Sequence, residues 1–152
     1  MKAQQEKIKR LQPIMEFKQL LIRESAQILV LLQEEKTRIE REIQHSQQTY
    51  MAGIETLNQA RTHATRPSLK LLENSLDYSK EKWVALFKSS KEVSRKIKAQ
   101  MEVLLESQRE LHAIEKLHHT YQMEFRKSLD LMEQKMSDDL SLQKFQAEKE
   151  GL

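Results

Sequence analysis

The chain has 152 residues, of which 38% are hydrophobic and 32% charged, with 2 Gly, 2 Pro, no Cys and a formal net charge of +3. Gly and Pro ordinarily run at about 7% and 5%, so a compact fold of many short elements and tight turns is excluded. The lack of Cys removes disulfides, thiol catalysis and most structural zinc sites, and a reducing compartment, the cytoplasm, is expected.

The opening residues, Met1 to Arg10, carry Lys2, Lys7, Lys9 and Arg10 against Glu6, a local +3 equal to that of the whole chain. They hold no apolar stretch of a secretory leader, and no window of about 18 uncharged apolar residues follows to span a membrane. This basic end reads as a solvated, partly disordered segment; farther on, acidic and basic residues alternate along helix faces, which gives no footprint for a nucleic acid.

The first helix is predicted over about 12–61, with Pro13 in its first turn, where a missing N–H costs nothing. Its seam runs through Met15, Ile22, Leu29, Lys36, Ile43, Tyr50 and Leu57, with Leu11, Lys18, Ser25, Leu32, Ile39 and Ser46 as companions. A turn is placed at about 62–66, in the stretch holding Gly53, Thr62, Thr65, Pro67 and Ser68, with Thr65 as a cap ahead of Pro67.

The second helix is predicted over about 67–146. An almost wholly apolar row recurs there every seven residues: Leu69, Leu76, Trp83, Ser90, Ile97, Leu104, Leu111, His118, Phe125 and Met132. The companion row is Leu72, Ser79, Leu86, Val93, Gln100, Ser107, Ile114, Tyr121 and Ser128. A two-row heptad sustained over about nine repeats, where three or four suffice, specifies a coiled coil. The expected fold is therefore all-α: two long helices in an antiparallel coiled-coil hairpin, one elongated unit over 1–152, with 1–11 and 147–152 disordered.

Antiparallel partners have a constant sum of residue numbers, and a sum of 129 centres the reversal between Ala64 and Thr65. At that register Leu57 meets Leu72, Ser46 meets Trp83, Leu32 meets Ile97 and Leu11 meets His118, so large residues often face small ones. Lys36 against Val93 and Leu29 against Gln100 dilute the middle of the seam, which is expected to be weaker than its ends. Residues beyond about 119 overhang, projecting roughly 40 Å at a rise of about 1.5 Å per residue. That stretch carries Tyr121, Phe125, Leu129, Met132, Met136, Leu140 and Phe145, an apolar stripe that marks a protein interface. Were residues 1–10 to continue the first helix, Ile8 would face Tyr121 and the stripe beyond Ser128 would still lack a partner.

Catalytic signals are weak. No Gly-rich phosphate loop or nucleophile elbow is present, and no cofactor is expected. Two Glu-x-x-His units, Glu42 with His45 and Glu115 with His118, have the spacing of di-iron carboxylate bundles. In a hairpin they lie on the order of 50 Å apart and cannot share a metal.

The entry Arg10-Leu11-Gln12-Pro13-Ile14-Met15-Glu16-Phe17-Lys18, the long Gln/Glu-rich helix, the single reversal and the late Met132-Glu133-Gln134-Lys135-Met136-Ser137-Asp138-Asp139-Leu140 together resemble the flagellar export protein FliJ family. The likeness covers nearly the whole chain, although members often have Asp-Glu where Asp138 and Asp139 stand. It implies a non-enzymatic component of the flagellar type III export apparatus, cytoplasmic and peripheral at the inner face of the cell membrane. Its implied form is a stalk-like rod that engages the ring of a FliI-like export ATPase and a FlhA-like export gate protein, with export chaperones as further partners. The ring-facing residues are then expected to include Leu11, Phe17, Tyr121, Phe125, Met132 and Met136, and the gate-facing patch Ile43, Tyr50, Leu72 and Leu76. Three alternatives stand beside it: the stalk protein of a virulence type III secretion system, a general coiled-coil scaffold or secretion chaperone, and a metal-dependent helical enzyme.

Overall fold

The computed structural model describes residues 2–63 and 66–151. They form two helices, α1 (Lys2–Ala60) and α2 (Arg66–Glu150), and no strand occurs among the described residues. The expected all-α architecture of two long helices is present, the second longer than the first.

Two boundaries differ from expectation. α1 starts at Lys2 rather than near residue 12, so Pro13 lies inside the helix and not in its first turn. Proline there deletes one intrahelical hydrogen bond and crowds the carbonyl four residues earlier. The turns ahead of it are held instead by α2: the Lys7 ammonium sits 5.2 Å from the centre of the Tyr121 ring, and the Ser128 hydroxyl donates to Gln4 Oε1 at 3.3 Å. Ile8 and Leu11 are half-buried, while Pro13 itself is exposed. At the other end α2 runs on to Glu150, past the expected stop near 146.

At the reversal α1 closes with Arg61 N–H bonded to the Leu57 carbonyl (3.0 Å) and His63 N–H to the Ala60 carbonyl (3.1 Å). The Thr62 hydroxyl donates to the Gln59 carbonyl at 2.7 Å, so side chain and backbone together satisfy carbonyls that the helix end leaves open. Pro67 occupies the first turn of α2 as expected, whereas the cap assigned to Thr65 lies outside the described residues. Gly53 belongs to α1, seven residues before its end, and takes no part in the turn.

The chain forms two compact units, Met1–Arg23 with Leu105–Leu152, and Glu24–Leu104. In the first, burial follows the heptad rows: Ile8, Leu11, Met15, Lys18 and Ile22 of α1 and Leu111, Ile114, His118, Tyr121 and Phe125 of α2 are half-buried. The helices run antiparallel, since Lys18 pairs with Glu110, Lys7 with Tyr121 and Gln4 with Ser128, pairs whose numbers sum to 128, 128 and 132. Because α1 reaches back to Lys2, the uncovered part of α2 starts at residue 130 rather than near 119. From 130 to 151 every residue is exposed.

In the second unit the same rows are more deeply buried, with Ile39 4%, Val93 5%, Leu57 7% and Ser46 7% exposed. Its antiparallel contacts are Gly53 with Leu76, Tyr50 with Trp83 and Ser25 with Gln100, at sums of 129, 133 and 125. Small residues do meet large ones here: the Gly53 backbone admits the Leu76 side chain. The polar dilution expected around Lys36 and Gln100 is absorbed locally. Lys36 keeps its ammonium outward, 4.0 Å from Glu40, so its stem can cover apolar surface, and the Gln100 amide donates to the Ser25 carbonyl at 3.1 Å. Ile39 and Val93, the most buried apolar residues, lie in this same stretch.

Candidate interaction surfaces

α2 places Leu129, Met132, Met136 and Leu140 at successive spacings of three, four and four residues, which aligns them on one helix face. In the first unit this face continues the one that α1 covers up to Ser128. Met132 is 48% exposed, Met136 58% and Leu140 64%. Leu131, Leu142 and Phe145 are also exposed but project from the opposite side of the helix. Beside the first turns of α1, Ile8, Phe125 and Leu129 floor a shallow groove whose rim carries Lys9 and Arg126.

The six residues expected to face an ATPase ring all belong to this unit, in three different settings. Met132 and Met136 stand free on the uncovered helix. Tyr121 and Phe125 are half-buried beneath α1, Tyr121 under Lys7. Leu11 is half-buried in the seam, and Phe17 is exposed on the outer face of α1, where Ile14 and Leu20 are also exposed.

The four residues expected to face an export gate lie in the second unit, and all are half-buried seam positions. Tyr50 stacks on Trp83, ring centres 6.0 Å apart and planes 25° off parallel; Trp83 in turn meets Phe87 edge to face at 6.3 Å. Leu76 packs on Gly53. Ile43 and Leu72 fill separate positions of the α1 and α2 rows. The Trp83 indole N–H is buried and has no hydrogen-bond partner.

Sequence reasoning took Trp83 as a seam residue and passed over what lies beside it. Val84 and Phe87, 44% and 49% exposed, form with Trp83, Lys88 and Lys91 an apolar groove on the outside of α2. The readable signal was a second row, Val84, Phe87, Lys91 and Arg95, on the side of the helix away from the seam. It is short and half cationic, so a search for apolar heptads does not find it.

Among the described residues no group of three His, Cys, Asp or Glu side chains is placed to hold a metal ion. Of the two Glu-x-x-His units, Glu42 is engaged by Arg38 at 2.8 Å, and Glu115 is exposed beside a half-buried His118. Among the described residues no helix is long and apolar enough to cross a membrane.

Residues 6–150 match the protein-family model described as Flagellar FliJ protein. No curated protein and no solved structure matches the chain. The matched span takes in both helices and the reversal, nearly all of both units described above. The chain belongs to the FliJ family, non-catalytic components of the flagellar export apparatus.

Proposed function

We propose that the chain is a stalk-like rod of the export apparatus, peripheral at the inner face of the cell membrane, which engages the ring of a FliI-like export ATPase and a FlhA-like export gate, with export chaperones as further partners. The observation that carries this reading is the uncovered face of α2 with Met132, Met136 and Leu140. An apolar helical stripe of this kind is matched to a groove or ring lined by other helices, and flexible thioether side chains adapt to surfaces that repeat imperfectly around a ring. Leu11, Tyr121 and Phe125 would add the exposed edges of seam side chains to this interface, and Phe17 a contact on the outer face of α1. The gate-facing role of Ile43, Tyr50, Leu72 and Leu76 uses the exposed parts of half-buried side chains, so the gate would bind the outside of a closed seam.

The test is capture of a purified FliI-type ATPase by the chain and by a variant carrying Met132→Ala, Met136→Ala and Leu140→Ala. These three side chains make no seam contact that holds α1, so helicity and thermal stability stay unchanged while capture falls at least tenfold. Undiminished capture would remove the uncovered face from the ATPase interface.

A further inference from the structure

We propose that copies of this chain associate head to tail, the acidic apolar face at 129–140 of one copy docking on the basic apolar face at 80–98 of the next. The two rows match in spacing. Leu129, Met132, Met136 and Leu140 follow one another at three, four and four residues, and so do Val84, Phe87, Lys91 and Arg95. Rows of this inclination are what interdigitate when two helices pack.

The rows also match in charge. Lys80, Lys88, Lys91, Arg95 and Lys98 share the outer side of α2, with Glu81 and Glu92 at its margin. Among the described residues none of these five cations lies within ion-pair distance of a carboxylate; the pairs that form use Lys18, Lys36, Arg38 and Arg109. On the other row Glu133 lies among the apolar side chains, four residues from Leu129 and three from Met136, with Asp130 and Asp139 at its two sides. The groove beside Trp83, Val84 and Phe87, about 410 Å³, offers a seat for a methionine side chain.

An anionic lipid surface or a nucleic acid would neutralise the basic face and leave the acidic one uncovered. A second copy answers both. The two faces are different, so the contact is heterologous and a joined pair keeps one free face of each kind, the basic one on one copy and the acidic one on the other, which allows short open strings rather than a closed dimer. A single-helix contact is small, which makes the association concentration-dependent, and its charges are exposed, which makes it salt-sensitive. Met132 and Met136 cannot serve an ATPase ring and a second copy at once, so ring engagement would dissolve the strings; the association itself is measured without any ATPase and stands or falls independently of the stalk reading.

The experiment is light scattering of the full chain over a range of concentrations, in low salt and in about 0.5 M salt, where screening acts within a few ångströms. The expected result is an average mass above that of one chain that grows with concentration and returns to one chain in high salt. Lys88→Glu with Lys91→Glu and Arg95→Glu abolishes the growth, as does Glu133→Lys with Asp139→Lys, each with unchanged helicity by circular dichroism. Mixing the two variants restores association, because the acidic face left native on the first docks on the basic face left native on the second. A single-chain mass at all concentrations overturns the proposal, as does growth that survives either charge reversal or a mixture that stays dispersed. Vesicles rich in phosphatidylglycerol that bind the chain while it stays a single-chain species would reassign the basic face to lipid.

Discussion

Gly53 faces Leu76 with room for one more carbon: a Cβ at Gly53 would stand 3.6 Å from both Leu76 Cγ and Cδ2, ordinary van der Waals contact. The glycine lies within α1 and has a negative-φ helical backbone, so neither the turn nor a strained conformation requires it. Gly53→Ala is therefore predicted to stabilise the chain by about 0.5–1 kcal/mol, through the lower entropy of the unfolded chain and a better helix propensity. The check is the urea midpoint, which rises at unchanged slope.

The buried indole N–H of Trp83 has no partner, so its hydrogen-bonding capacity contributes nothing to stability while its ring area does. Trp83→Phe is predicted to change stability by less than about 1 kcal/mol, because a lost ring is offset by removal of an unsatisfied donor. Trp83→Ala, which strips the stack on Tyr50 and the edge contact to Phe87, costs about 3 kcal/mol. Thermal unfolding followed by circular dichroism separates the two.

Lys18 and Glu110 form the one ion pair that joins the two helices among the described residues, with side chains 25% and 44% exposed. A pair this open is worth about 0–1 kcal/mol and is screened by salt. Since Lys18 occupies a seam position, Lys18→Leu is predicted to raise stability despite breaking the pair, by exchanging a half-buried ammonium for apolar packing. A double-mutant cycle with Glu110→Gln, run at low and high salt, reads the coupling directly.

Burial along the seam sets a gradient of mutational cost. Ile39→Ala, at a side chain 4% exposed, is predicted to cost about 2–4 kcal/mol. Leu131→Ala, at a side chain 67% exposed on the uncovered part of α2, changes stability by less than about 0.5 kcal/mol. Denaturant unfolding of the two variants tests the assignment of one residue to the seam and the other to a free surface.

The heptad rows were legible because each is a pure period-seven pattern, and the half-buried positions from Ile8 to Ala60 and from Leu69 to Ser128 follow them, apart from Leu21, Ala26, Ile54 and Ser94. The register was legible from aligning the two rows on the expected reversal, at a sum of 129, which is the sum of the Gly53–Leu76 contact. The start of α1 was not: Pro13 carries a strong local stop signal, and only contacts made more than a hundred residues away, Lys7 with Tyr121 and Gln4 with Ser128, outweigh it. That same extension moved the beginning of the uncovered face from near 119 to 130 and turned Tyr121 and Phe125 from free side chains into half-covered ones. Val93 was legible as a seam residue, but the depth of burial around it was not, because Lys36 opposite was counted as purely polar, whereas a lysine stem covers apolar surface while its ammonium stays in water. The groove beside Trp83 escaped because cationic and apolar residues share its row.

The most direct measurement of the stalk account is turnover of a FliI-type ATPase alone, with the full chain, and with the chain truncated after Ser128. The account predicts that the full chain stimulates turnover and that the truncated chain, with α1 and its covered seam intact, does not. Equal stimulation by both, or none by the full chain, would contradict it.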